Sequence, residues 1–131
     1  MPVVNELPTM GGKWELLWTN PNPTSAINSP ITVQHDMTPY EYVFVSVAVS
    51  TTHTDYPCLV QARRESSWIA VHVEGNGTNY NWMSYRWFTW NPTQFSIGAS
   101  AGYAYHGGGA TSGGTYGIIL AVYGVKKLNL G

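Results

Sequence analysis

Val43, Val45, Val47 and Val49 recur at every second position of segment 42–49, with Tyr42, Phe44, Ser46 and Ala48 between them. β-Branched residues at a period of two crowd a helix and fit a pleated sheet, so this segment predicts a strand. Alternation recurs in 31–36 and 67–73, and from Lys13 onward the chain reads as short strands separated by turn clusters. Segments 14–18, 31–36, 58–62, 67–73, 80–90, 94–99, 102–106 and 116–125 all read as strands. Thr19-Asn20-Pro21-Asn22-Pro23 closes the first of them, and Gly75-Asn76-Gly77-Thr78 is a strong turn signal. Segments 58–62 and 67–73 look like a hairpin around residues 63–66, and the glycine-rich stretch 107–114 reads as a flexible hairpin loop. No segment repeats apolar residues at three and four over eleven positions, so no helix is predicted. About eight or nine strands at this spacing predict an all-β fold, an antiparallel β-sandwich or jelly roll. Residues 1–12 show neither period and carry two prolines and Gly11-Gly12, which predicts an arm or linker before a β-sandwich domain spanning 13–131.

Composition narrows the function. The chain has 131 residues, one domain's worth, and only 10% of them are charged, against about 25% in an average globular protein. Six Trp, nine Tyr and three Phe help fill that deficit. The formal net charge is -1, and the only adjacent basic pairs are Arg63-Arg64 and Lys126-Lys127, so nucleic-acid binding lacks its electrostatic footprint. No apolar run approaches the length of a membrane span, and no secretory signal is visible at the N-terminus. A charge this close to zero does little to keep copies of the chain apart, which favours self-association.

Sites of chemistry are sparse. His53 with Asp55 and His72 with Glu74 each place an imidazole and a carboxylate on one side of a strand, but no third ligand accompanies either pair. His35-Asp36 faces opposite ways if extended. No metal site and no cofactor are predicted. Gly98-Ala99-Ser100-Ala101-Gly102 matches the letters of a nucleophile elbow without the strand-to-helix turn which that device needs. Asp55, Glu65 and Glu74 are the carboxylates nearest the aromatic middle, too few to predict catalysis, and Cys58 reads as a buried, inert thiol. Asn76-Gly77-Thr78 fits a glycosylation sequon but is more simply a tight turn. The informative segment is 80–90. As a strand it sets Tyr80, Trp82, Arg86, Phe88 and Trp90 on one face and Met83, Tyr85 and Trp87 on the other. Both faces are aromatic, so one of them needs cover from the chain itself, a second subunit or a ligand.

Three phrases carry a resemblance. Trp14-Glu15-Leu16-Leu17-Trp18-Thr19-Asn20-Pro21 opens the domain, Gln94-Phe95-Ser96-Ile97-Gly98 stands before a Gly- and Tyr-rich stretch, and Tyr116-Gly117-Ile118-Ile119-Leu120-Ala121-Val122-Tyr123-Gly124-Val125-Lys126-Lys127 ends it. In order and spacing the chain resembles the C-terminal domain of tail-fibre and minor structural proteins from phages and prophages of Gram-positive and gut bacteria. The resemblance implies an all-β head domain, assembled as a homotrimer in the virion, that adheres without catalysis to a bacterial cell-surface polysaccharide or teichoic acid. Two other functions stay open at this point, a purely structural trimerisation or capping domain and a small glycan-active enzyme. If sugar is bound, the cluster beside the glycine-rich stretch supplies the candidates. Trp82, Trp90, Tyr103 and Tyr105 would stack on sugar rings, and Arg86 and His106 would donate hydrogen bonds.

Overall fold

A computed structural model describes residues 13–55, 57–63, 68–75, 81–98, 103–106, 109–112 and 115–126. The expected arm at 1–12, the sequon turn at 76–78 and most of the 63–66 connection lie outside the described residues. Among the described residues there are ten strands and no helix: β1 Trp14–Thr19, β2 Ile31–Gln34, β3 Tyr40–Ser50, β4 Cys58–Ala62, β5 Trp68–Gly75, β6 Asn81–Asn91, β7 Gln94–Ile97, β8 Tyr103–His106, β9 Gly109–Ser112 and β10 Tyr116–Lys126. They form two antiparallel sheets, as the period-two patterning predicts. The four-stranded sheet has the order β1-β10-β3-β4, and the six-stranded sheet runs β2-β7-β6-β8-β9 with β5 also on β6.

Six strands fill only four lanes in the larger sheet. β5 flanks β6 from Trp68 opposite Phe88 to Gly75 opposite Asn81. On the other side of β6, β7 pairs with Phe88–Asn91 and β8 with Met83–Tyr85, end to end. β2 then extends β7, and β9 extends β8. The result is four lanes against four, a β-sandwich.

Two expectations need correction. β4 and β5 are not a hairpin: β4 pairs with β3 in one sheet and β5 with β6 in the other, so their connection crosses between layers. A two-residue period identifies a strand but not its partner, and residues 63–66 lack the Gly or Asn of a tight hairpin. The stretch 107–114 is also more than a loop, because Gly109–Ser112 pairs with β8 as β9, which brings the strands to ten. Backbone pairing there leaves no side-chain period to read.

The core lies between the layers. Val43, Val45 and Val47 of β3 and Ile119 and Val122 of β10 meet Phe88 and Trp90 of β6 and Phe95 and Ile97 of β7, all buried. Phe88 and Phe95 stack with ring centroids 6.0 Å apart. Each such side chain contributes about 1.5–3 kcal/mol of burial. At the edge of this core Asn20 ties the turn after β1 to the bulged part of β10. Its backbone N–H donates to Leu120 O (2.8 Å), its Nδ2 donates to Ile119 O (3.0 Å), and its Oδ1 accepts from Asn22 N (2.8 Å).

Glycine also shapes the four-stranded sheet. A Cβ on Gly124 would lie 2.6 Å from the Tyr40 ring, so the bare backbone of β10 lets the ring of β3 cross it. The Tyr40 hydroxyl thereby reaches β1 and donates to Glu15 Oε2 at 2.7 Å, while Lys126 Nζ lies 2.7 Å from Glu15 Oε1. The bonds from Lys126 and Tyr40 hold the Glu15 carboxyl below its usual range. Burial, then the bond to Glu15, pushes the Tyr40 hydroxyl up to about 12. A raised folded-state pKa stabilises the fold fully below the unfolded value of about 10 and loses that contribution as pH climbs towards about 12. Urea midpoints measured at rising pH across this window should therefore fall more steeply for the wild type than for Tyr40→Phe.

Candidate binding face

The long strand β6 sorts its residues by parity. Ser84, Arg86, Phe88 and Trp90 are buried between the sheets, and Met83, Tyr85, Trp87, Thr89 and Asn91 lie on the outer face. Arg86 is 0% exposed. Its Nε donates to Gly117 O (2.9 Å), Nη1 to Gly98 O (2.9 Å) and Nη2 to Tyr116 O (2.7 Å). Burial pushes its pKa down to about 10, so the guanidinium stays charged at neutral pH. It binds the start of β10, in one sheet, to the middle of β6, in the other. Gly117 makes the approach possible, with φ of +62° and a position where a Cβ would stand 2.5 Å from Tyr85 O. Trp90, 2% exposed, makes a second bond between sheets, from Nε1 to Ala62 O at 3.1 Å.

These positions correct the expected sugar contacts. Arg86 and Trp90 face the core and give their N–H groups to main-chain carbonyls, so neither presents a surface to a ligand. The side chains of Trp82, Tyr103, Tyr105 and His106 lie outside the described residues. Backbone register sets Trp82 opposite Glu74, Tyr103 opposite Tyr85, Tyr105 opposite Met83 and His106 opposite Gly109. The expected cluster is thus divided: Arg86 and Trp90 lie inside, whereas the β8 tyrosines are in register with the outward positions of β6.

The residue missed in sequence is Trp87, 41% exposed at the centre of the outer face. Val73 and Met83, opposed in register four positions further along the same face, are exposed at 59% and 38%. Gly98 is bonded to Trp87 through N–H to O at 2.9 Å, and a Cβ on it would lie 2.9 Å from Trp87 Cβ. The glycine thus leaves one flank of the indole bare. A shallow depression of about 200 Å³ opens there, lined by Pro30, Trp87, Thr89, Ser96, Ile97 and Gly98. Thr89, Ser96 and Thr32 form one row across β6, β7 and β2, with Thr32 Oγ1 and Ser96 Oγ 2.9 Å apart. One row further on, Gln34 Nε2 donates to Gln94 Oε1 at 2.9 Å. Between residues 75 and 125 the only Lys, Arg, Asp or Glu is Arg86, and β2 carries none. The sole charge in that stretch is turned inward, which leaves the outer face aromatic and hydroxylic. A signal for this was legible: a single charge in a long uncharged stretch, set in the middle of an aromatic strand.

The remaining candidate chemistry is dispersed. His53 Nδ1 shares hydrogen bonds with Ser50 Oγ (2.8 Å) and Thr52 Oγ1 (3.0 Å) in the turn after β3. Among the described residues no three His, Cys, Asp or Glu side chains converge on one point. Residues 99–102 of the Gly98–Gly102 letters lie outside the described residues, and the next described element is strand β8 rather than the helix a nucleophile elbow needs. Cys58 is half-buried on β4 rather than buried. Among the described residues no helix is long and apolar enough to cross a membrane. Comparison of the chain with protein-family models, curated proteins and solved structures finds no match.

Arg86→Lys keeps the charge but replaces a planar fork with a single ammonium that cannot reach all three carbonyls. Leaving one or two buried acceptors without that donor should cost roughly 2–4 kcal/mol, read as a lower urea midpoint.

Proposed function

We propose that the chain is the receptor-binding head domain of a phage tail fibre or minor structural protein. It acts as a non-catalytic homotrimer of the virion that holds bacterial cell-surface polysaccharide on the outer face of its six-stranded sheet. The observation carrying this reading is Trp87, exposed and bared on one flank by Gly98, with the hydroxyls of Thr89 and Ser96 beside it on a surface without charge. Pyranose rings offer an apolar C–H face to an indole and hydroxyls to neighbouring oxygen atoms. The resemblance of the opening, Gln94–Gly98 and closing phrases to phage head domains supports the same assignment.

The four-stranded sheet supports trimer formation. Trp14 lies 4.8 Å from Phe44 and 6.0 Å from Tyr123 by ring centroids, and Leu16, opposite Tyr123, is 58% exposed. Assembly through this aromatic face leaves the Trp87 face open to the host. The same cluster favours a second reading, a structural trimerisation domain with no ligand.

Light scattering should give about 43 kDa, three times the 14.4 kDa chain. Trp87→Ala should preserve that mass and the urea midpoint, because the ring is largely outside the core. Decoration of host cells should drop at least about tenfold, since loss of one ring contact of about 1 kcal/mol is multiplied over linked sites. Undiminished decoration would reject the Trp87 face, and a Trp87→Ala chain that loses its trimer mass would favour the structural reading.

A further inference from the structure

The ligand chemistry can be narrowed. Resting on the adhesion reading above, we propose that the site at Trp87 selects a neutral pyranose and takes no part of its affinity from charge. Uncharged wall polysaccharide, rather than a phosphate-bearing polymer, is then the ligand.

The lining of the depression contains an indole, a proline ring, an isoleucine, a glycine and two hydroxyls. None of these pairs with a phosphate or a carboxylate. An anion resting there would find no cation in the lining and so no charge-assisted bond to favour it over a neutral ring. β2 and β7, which line the depression with β6, contain no Lys or Arg, and the one Arg of β6 has its Nε, Nη1 and Nη2 turned to three main-chain carbonyls.

What the site does offer suits an uncharged ring. Trp87 supplies an apolar plane, and the Thr32–Ser96 hydrogen bond fixes the Ser96 hydroxyl beside it. The Gln34–Gln94 amide pair follows about 7 Å further along the strands, a second row of neutral donors and acceptors for the next sugar of a chain. The depression is open and has no carboxylate in its lining, so recognition needs neither a chain end nor a bridging calcium ion.

The test is titration calorimetry of the full chain with two probes, a neutral hexose polysaccharide purified from host cell wall and poly(glycerol phosphate). The neutral polymer should bind with an affinity that changes less than about twofold between roughly 50 and 500 mM salt, where exposed ion pairs would be screened away. EDTA should leave it unchanged. Trp87→Ala should weaken it at least about tenfold, and Thr89→Val, a β-branched exchange that removes only the hydroxyl, by about threefold to tenfold. Poly(glycerol phosphate) should not bind. Salt-sensitive binding of poly(glycerol phosphate) that Trp87→Ala abolishes would overturn the neutral ligand while leaving adhesion at this face intact. Binding of neither polymer, with host decoration unaffected by Trp87→Ala, would overturn the neutral ligand and the adhesion reading together.

Discussion

The place where Arg86 meets Gly117 sets the architecture of the domain. Two sheets in a sandwich normally stand about 10 Å apart and touch through side chains. Here the backbone of β10 comes so close to β6 that only a glycine fits, and it takes a left-handed conformation to do so. At this crossing the carbonyls of Tyr116 and Gly117, together with that of Gly98, accept from one guanidinium. A buried cation is costly to desolvate, and charge-assisted bonds to three carbonyls offset that cost. The crossing thus joins the beginning of the last strand, the end of β7 and the middle of β6.

This join decides which face of β6 is the inside. Once Arg86 is held between the layers, alternation carries Phe88 and Trp90 inward with it and leaves Met83, Tyr85 and Trp87 outside. Gly98 contributes to both sides of the sheet. Its carbonyl accepts from Arg86, and its missing side chain exposes the flank of Trp87. Core architecture and surface chemistry are therefore linked through a few residues. Drawing Arg86 inward removes the only charge from an otherwise uncharged run and gives that outer surface its neutral character.

Much of this was legible in the residues themselves. Nine strands follow from short β-branched and aromatic runs closed by turn residues, and β2, β4 and β7 show the expected alternation in burial. The β3 valines are the clearest case: those at 43, 45, 47 and 49 are all buried, although at the end of the strand Ala48 and Ser50 are buried with them. Partner choice was less legible, since β4 and β5 carry the same alternation whether they pair with each other or enter opposite sheets. β9 was hidden because its glycine-rich backbone pairs without a side-chain pattern. In β6 the period divides the residues correctly into two faces but does not say which is buried. The ligand contacts were expected on the face that carries Arg86 and Trp90 because those residues cluster in sequence beside the glycine-rich stretch, although an arginine among aromatics can also be buried when it is paired. Gly117 holds the physical reason for the reversal, and its role depends on a contact 31 residues away from Arg86.

The central claim is that the odd face of β6 meets the ligand and the even face holds the fold together. The most direct measurement is an NMR titration of the indole N–H resonances with host wall polysaccharide, with Trp87 and Trp90 assigned from their Trp→Phe variants. The account predicts that the Trp87 signal shifts on binding, while the Trp90 signal, bonded to Ala62 O, stays in place and exchanges slowly with solvent. A shifting Trp90 signal beside an unchanged Trp87 signal would contradict it.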